Sequence, residues 1–209
     1  MSNVPQKMTA SIDDRGTIWI ATHRWAPLNP LFGGLGTIEK LGAVWIALAL
    51  VFGYWRWRRI LPTVGVAVLT ALVVFAADAA TFGIKDLVVR PRPFVTHPEI
   101  QPLYHVRSSA FPAGHAATAF AGAVILSALA RRWTIAFALL AVAVAFSRIY
   151  VGDHYLGDVL GGAVVGAAIA RAALACTRAL LPHLPDALPN IRQRLRVARS
   201  GPRPRSLRP

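Results

Sequence analysis

A polar stretch at residues 147–158, set between two apolar segments, has the residue types for chemistry on an oxyanion. If the chain after Gly152 is helical, His154 and Asp158 lie four residues apart on one helix face. A carboxylate there can hold the proton on one imidazole nitrogen and leave the other nitrogen bare, as a nucleophile needs. Arg148 lies just upstream, and its guanidinium group suits an oxyanion. By itself the stretch fits a polar helix end at a membrane surface equally well.

A second stretch places three cations, Lys85, Arg90 and Arg92, at the end of an apolar segment. Pro91 and Pro93 end the predicted helix there, because a proline ring cannot continue a helix and disfavours helical geometry before it. Snorkelling to lipid headgroups would explain the cations. A bound anion would explain them too, since it would offset their mutual repulsion.

A third stretch opens the next apolar segment after Pro112. Ala113 and Gly114 leave backbone N–H groups unobstructed at a predicted helix start, where orphan donors and the helix dipole bind phosphate. His115 would then project beside the anion as a general acid. A histidine that caps a membrane helix is, however, more often structural.

Composition indicates the setting of these stretches. Of the 209 residues, 55% are hydrophobic and only 15% are charged, whereas a soluble domain carries about a quarter charged residues. The apolar residues form long runs, which predicts an integral membrane protein. The net charge of +14 comes largely from arginines beside apolar segments and in the tail, which favours membrane topology over a nucleic-acid partner. The single cysteine, Cys176, excludes an internal disulfide.

We expect an all-α integral membrane fold, a bundle of about five transmembrane helices plus an N-terminal interfacial helix. The turn-rich residues 27–36 should break the N-terminal region. Residues 1–181 would form the membrane domain, with the chemical signature at 85–158, and residues 182–209 a basic tail rich in proline and arginine. The predicted spans are about 41–57, 63–89, 113–131, 134–150 and 155–181.

Charge asymmetry predicts the orientation. The arginine runs at 56–59 and 131–132 and the tail fall on one side, which should be cytoplasmic. The loop at 90–111 and the turn around Gly152 then lie together on the extracytoplasmic side. The tail is expected to bind anionic lipid headgroups, or simply to fix topology.

The three stretches together resemble the signature of the type 2 phosphatidic acid phosphatase superfamily, which includes lipid phosphate phosphatases and polyprenyl diphosphate phosphatases. The matching residues are Lys85 followed after six residues by Arg92-Pro93, then Pro112-x-Gly114-His115, then Ser147-Arg148 with His154 and Asp158. The family usually has a six-helix core, so the N-terminal helix would count as the sixth.

The resemblance implies a role for each residue. His154 would be the nucleophile that becomes a phosphohistidine, Asp158 would orient it, and His115 would be the general acid and base. No cofactor is implied, because the cations supply what Mg²⁺ supplies elsewhere. A metal site built from His97, His105, His115 and Asp153 would lack tight ligand spacing. The phosphate would be bound by Lys85, Arg92, Arg148, Gly114 and Ala113.

One position departs from the family pattern. Ala113 stands where a serine is usual, so a hydroxyl contact to phosphate is missing. We expect weaker phosphate binding rather than lost catalysis, and either Ser108 or Ser109 could replace the hydroxyl. Residues expected to support the site or line its entrance are Asp78, Arg90, Ser108, Ser109, Asp153 and Tyr155.

The implied function is metal-independent hydrolysis of a lipid phosphate or diphosphate at the extracytoplasmic face of the cell (inner) membrane. A polyprenyl (di)phosphate is favoured by similarity to short bacterial members. The alternatives are a phosphatidic acid or phosphatidylglycerophosphate phosphatase, a lipid phosphotransferase, and a non-enzymatic lipid transporter or scramblase. The lipid and the oligomeric state stay open.

Overall fold

The computed structural model describes residues 11–180, which contain helices and no strands. The chain divides into two compact units, residues 1–173 and 174–209, and only 174–180 of the second are described. The predicted tail at 182–209 lies outside the described residues. The helices are α1 (Ile12–Thr22), α2 (Asn29–Ile38), α3 (Ala43–Trp57), α4 (Ile60–Leu87), α5 (Pro93–Thr96), α6 (Gly114–Leu129), α7 (Thr134–Tyr150) and α8 (Leu156–Leu180), with 3₁₀ turns at Ala26–Leu28, Lys40–Gly42 and Arg131–Trp133.

Three of these elements are long and apolar enough to cross a membrane: α4, α7 with the turn before it, and α8. The helical segments Ala26–Ile38 and Lys40–Trp57 meet at a bend of 55° and would together make a fourth span. Helix α6 is apolar but has only 16 residues, fewer than the ~20 that a straight span needs. The all-α membrane fold is therefore confirmed. Its first predicted span is a bent pair of helices, and its third is short.

The predicted break after the N-terminal helix is present, since α1 ends at Thr22 and a 3₁₀ turn follows at Ala26–Leu28, but most of the turn-rich residues 27–36 form α2 instead of turns. Pro30 lies in the first turn of the helix, where a missing N–H costs nothing. The glycines serve close packing rather than turns: a Cβ on Gly33 would overlap the Tyr104 side chain, and one on Gly36 would overlap the Arg148 guanidinium group.

The predicted N-terminal helix is present as α1. Ser11 caps it in a reciprocal pair of hydrogen bonds with Asp14, which satisfies two of the free donors at a helix start. Trp19 is 64% exposed, whereas Thr17 and Ala21 are buried. One face of α1 therefore packs on the protein, and its location at a membrane interface stays a prediction.

Helices α3, α4, α6 and α7 pack around one apolar cluster that contains Trp45, Val74, Leu126 and Phe137. Gly122 of α6 lets the Trp45 ring approach its backbone, where a Cβ would overlap the indole. Close packing of this kind is typical of small residues between membrane helices. It packs α4 against α6, the two helices that carry Lys85 and His115 near their ends.

The two arginine runs predicted to share one side lie at the same end of the helices. The Arg132 guanidinium lies 4.1 Å from the centroid of the Trp55 ring, and the Phe52 and Trp133 rings are 5.6 Å apart. The candidate site lies at the other ends of α4 and α7. Which end faces the cytoplasm stays a prediction.

Candidate active site

The candidate site is built from helix ends and the segments between them. Lys85 is in the last turn of α4, Arg148 is in the last turn of α7, and Asp158 is in the first turn of α8. The turn between α7 and α8 passes through Gly152, whose φ of 81° favours glycine. A Cβ there would also lie 2.8 Å from the Ile100 side chain. This turn places His154 ahead of α8.

His154 and Asp158 face each other, as their spacing predicts. The His154 Nδ1 lies 3.7 Å from Asp158 Oδ2, which is beyond hydrogen-bond distance, and this buried nitrogen has no other partner. Asp158 is completely buried, and its Oδ2 accepts a hydrogen bond of 2.9 Å from the Tyr155 N–H. Burial lowers the pKa of His154 from its ordinary value of 6.5, so the neutral imidazole is favoured.

Arg92 approaches the other imidazole nitrogen. Its Nη1 lies 3.4 Å from His154 Nε2 and donates to Asp153 Oδ1 at 2.6 Å. Its Nε and Nη2 donate to the Ser108 carbonyl and hydroxyl oxygens at 2.8 and 3.0 Å. Because a guanidinium group can only donate, this neighbour favours a bare Nε2 and a proton on Nδ1, the tautomer that a nucleophilic Nε2 needs.

Ser109 supports the second cation. The Lys85 Nζ donates to the Ser109 carbonyl oxygen at 2.8 Å. The Ser109 hydroxyl donates to the Val88 carbonyl oxygen at 2.7 Å and accepts from the Arg90 N–H at 3.0 Å. Both serines considered as substitutes for the missing family hydroxyl are thus engaged with the cations or with the chain around them.

His115 and Arg148 share the support of α2. The His115 ring faces the Gly36 backbone carbonyl, and it interacts electrostatically with Arg148 and His154. The Arg148 Nη2 donates to the Phe32 carbonyl oxygen at 3.2 Å, and its Nε donates to the Ser147 hydroxyl at 3.0 Å. The helix that the sequence did not predict therefore holds two of the predicted site residues.

The start of α6 differs in detail from the expected phosphate cradle. The helix begins at Gly114, and the N–H of Ala113 donates to the Asp158 carbonyl oxygen at 2.9 Å. That N–H is therefore occupied within the protein, which leaves the Gly114 N–H as the donor predicted for phosphate. A Cβ on Gly114 would lie 3.2 Å from Asp78 Oδ1, so Asp78 lies directly beside the helix start.

Arg90 has a larger structural role than its spacing predicted. Its two Nη atoms bond to Asp158 Oδ1 at 2.6 Å and to Asp13 Oδ2 at 2.7 Å, and its guanidinium lies 4.1 Å from the Tyr155 ring centroid. Nothing in the sequence links Asp13 to Asp158. The only feature of the sequence that pointed to a role for Arg90 was the excess of cations at the end of α4.

A cavity of about 670 Å³ opens beside these cations. Arg90, Ser108 and Ser109, which were expected at the entrance, line it. Asp153 and Tyr155 are instead buried. The lining residues are Val89–Arg92, Phe94, Val95 and His105–Ser109.

Among residues 11–180, no three His, Cys, Asp or Glu side chains lie close enough together to bind a metal ion. Two members of the hypothetical metal site have other partners. His97 lies 3.7 Å from both Asp14 and Glu99, and Asp153 is paired with Arg92.

The model of the PAP2 superfamily matches residues 65–181, more than half of the chain, and the match includes all three stretches described above. The chain belongs to the PAP2 superfamily. Helices α1 and α2 precede the matched residues. The PAP2 signature residues thus receive support from a part of the chain that the family model does not cover.

Two solved structures share this PAP2 fold. The first transmembrane PAP2 type phosphatidylglycerolphosphate phosphatase from Bacillus subtilis has a TM-score of 0.65 and 22% identity, over 84% of this chain and 89% of that one. Aquifex aeolicus LpxE has a TM-score of 0.66 and 21% identity, over 79% of this chain and 96% of that one. A comparison with curated proteins gave no match.

Proposed function

We propose that this PAP2 protein hydrolyses a lipid phosphate through a phosphohistidine on His154. The observation that carries the proposal is the environment of this imidazole. Its Nδ1 faces the Asp158 carboxylate at 3.7 Å, and its Nε2 lies 3.4 Å from the Arg92 guanidinium. A phosphate bound by Arg92 would therefore come within reach of a neutral, oriented nitrogen.

In the first step, the His154 Nε2 lone pair attacks phosphorus. The N–P bond forms as the bond from phosphorus to the lipid oxygen breaks, and His115 gives its proton to that oxygen. Asp158 stabilises the positive charge that develops on the imidazole. Such proton donation is typically worth about 10²–10⁴-fold in rate.

In the second step, water attacks the phosphohistidine. His115, now neutral, accepts a proton from the water, the N–P bond breaks, and inorganic phosphate leaves with His154 restored. Lys85, Arg92 and Arg148 would hold the phosphoryl oxygens in both transition states, where charge is spread over those oxygens.

The substrate we favour is a polyprenyl phosphate or diphosphate whose chain enters sideways between helices at the extracytoplasmic face. The choice rests on the resemblance of the three signature stretches to a superfamily that includes polyprenyl diphosphate phosphatases. Phosphatidylglycerophosphate is the second candidate, because the Bacillus subtilis structure is described as a phosphatidylglycerolphosphate phosphatase. The orientation rests on the arginine runs at the other end of the bundle.

Release of inorganic phosphate from a panel of polyprenyl and glycerolipid phosphates, with EDTA present, tests the proposal. The purified protein should release phosphate, and His154→Asn should release none. If phosphate reached only a second lipid, the protein would be a phosphotransferase. Lipid movement that survives in His154→Asn, without hydrolysis by the native protein, would instead identify a transporter or scramblase.

A further inference from the structure

A series of three charged residues connects α1 to Asp158, the carboxylate that faces the proposed nucleophile. Asp13, Arg90 and Asp158 are joined by ion pairs of 2.7 and 2.6 Å, both made by the Arg90 guanidinium. Asp158 is fully buried, whereas the Arg90 and Asp13 side chains are 30% and 25% exposed. These ion pairs therefore connect the partly exposed Asp13 carboxylate to the buried Asp158 carboxylate through the Arg90 guanidinium, which binds both.

Helix α1 also binds the first residues of α8. The Asp13 Oδ1 accepts from the Gly157 N–H at 2.7 Å, and the Thr17 hydroxyl accepts from the Leu156 N–H at 3.2 Å. These N–H groups have no partners within their own helix. Asp13 therefore supports Asp158 through the backbone of α8 and through Arg90.

Every oxygen of the Asp158 side chain is held by a group other than His154. Oδ1 accepts from Arg90, and Oδ2 accepts from the Tyr155 N–H. The 3.7 Å gap to His154 Nδ1 is consequently set by these two bonds. A carboxylate held in this way is preorganised: it stabilises the positive imidazole without a free-energy cost for reorientation.

We infer that Asp13 and Arg90 are positioning residues, which hold the Asp158 carboxylate in register with His154. This inference rests on the proposed function. It goes beyond the family signature, because Asp13 lies outside residues 65–181 that the PAP2 model matches. Neither residue needs to touch phosphorus, so both act on the transition state through Asp158.

This role makes a specific kinetic prediction. Asp158 interacts with the imidazole most strongly when the imidazole carries positive charge in the transition state, so loss of its positioning lowers kcat and leaves KM nearly unchanged. Arg90 also lines the cavity. A substrate contact by Arg90 would raise KM instead.

The experiment measures kcat, KM and thermal stability of Asp13→Asn, Arg90→Gln and the double variant in detergent. Asp14→Asn is the matched control, since it makes the same charge change one residue away on α1 and weakens the helix cap and the His97 contact without touching Arg90. Thr17→Val is a second control, since it removes a contact between α1 and α8 outside this series of charged residues. Asp13→Glu keeps the carboxylate.

We expect Asp13→Asn to lower kcat about 10-fold with KM changed by less than about twofold, the size of one hydrogen bond between charged groups. Asp14→Asn should keep the native kcat and KM, with at most the loss of stability that a weakened helix cap causes, and Asp13→Glu should recover part of kcat. In the Arg90→Gln background, Asp13→Asn should have little further effect, because coupled residues are not additive.

The inference is overturned if Asp13→Asn behaves as Asp14→Asn does, if it raises KM alone, or if its effect multiplies with that of Arg90→Gln. It is also overturned if Thr17→Val lowers kcat and stability to the same extent, because docking of α1 would then suffice. These outcomes are separate from the proposed function, which fails if the native protein releases no phosphate or if His154→Asn keeps phosphate release.

Discussion

Arg148 lies flat against Gly36, so close that a Cβ on this glycine would come 2.5 Å from the Arg148 Cζ and overlap its nitrogens. The carbonyl of the same glycine faces the His115 ring. One backbone position in α2 therefore lies against both the cation proposed to bind phosphate and the proposed general acid. The site depends on close approach of backbone, which only glycine permits here.

The substitution Gly36→Ala should displace the Arg148 guanidinium and lower kcat/KM by about 10²-fold, since misplacement of about 1 Å can cost that much. Gly34→Ala is the matched control, because nothing lies within 4 Å of a Cβ at that position. Both changes are in the same helix. Equal activities for the two variants would contradict the role given to Gly36.

Arg92→Lys should lower kcat/KM by about 10²-fold although the charge is kept. Arg92 uses three nitrogens to bind Asp153 and both oxygens of Ser108, and an ammonium group cannot reproduce that fork. Arg107→Lys is the control, because Arg107 lines the same cavity and is exposed. Steady-state kinetics on one lipid phosphate compares them; a loss in Arg107→Lys as large as in Arg92→Lys would argue against a specific role for the fork.

Ala113→Ser restores the hydroxyl that the family pattern has at this position. One additional hydrogen bond, worth about 1 kcal/mol, should lower KM about fivefold. Ala116→Ser is the control, because it adds a hydroxyl to an equally buried alanine inside α6, whereas Ala113 precedes that helix. Unchanged KM and kcat in Ala113→Ser would show that the missing serine is not a phosphate ligand here.

The imidazole of His154 should titrate below 6.5, because burial lowers its pKa. The unfolded chain then binds more protons than the folded one just below pH 6.5, so the contribution of His154 to stability falls as pH decreases through that range. Nitrogen NMR of histidine-labelled protein measures the titration. Among six histidines, the His154 signals are those lost in His154→Asn. A midpoint at or above 6.5 would contradict the buried, neutral state.

The sequence was sufficient for the parts of the fold that follow from local patterns. Apolar runs located α4, α7 and α8, and the four-residue spacing placed His154 opposite Asp158. The α2 segment was misread because Pro30 and its glycines are turn signals in isolation. The structure uses the proline in a first helical turn and the glycines as contact surfaces for Tyr104 and Arg148.

The support of the site could not be predicted, because it depends on contacts between residues far apart in sequence. Asp13 reaches Arg90, and Phe32 reaches Arg148, with no periodicity or motif to connect them. Spacing also could not tell that the Ala113 N–H would be used by the Asp158 carbonyl. Signature residues were found from the sequence, and the groups that hold them needed the three-dimensional structure.

The central claim is that His154 carries the phosphoryl group, and a rapid-quench experiment with His115→Asn tests it most directly. An aryl phosphate ester is the substrate, because its leaving group departs without a proton while the phosphohistidine still needs His115 to activate water. We predict a burst of about one phenolate per protein and an acid-labile phosphate on residue 154. A burst with no phosphate on His154, or no burst at all, would contradict the mechanism.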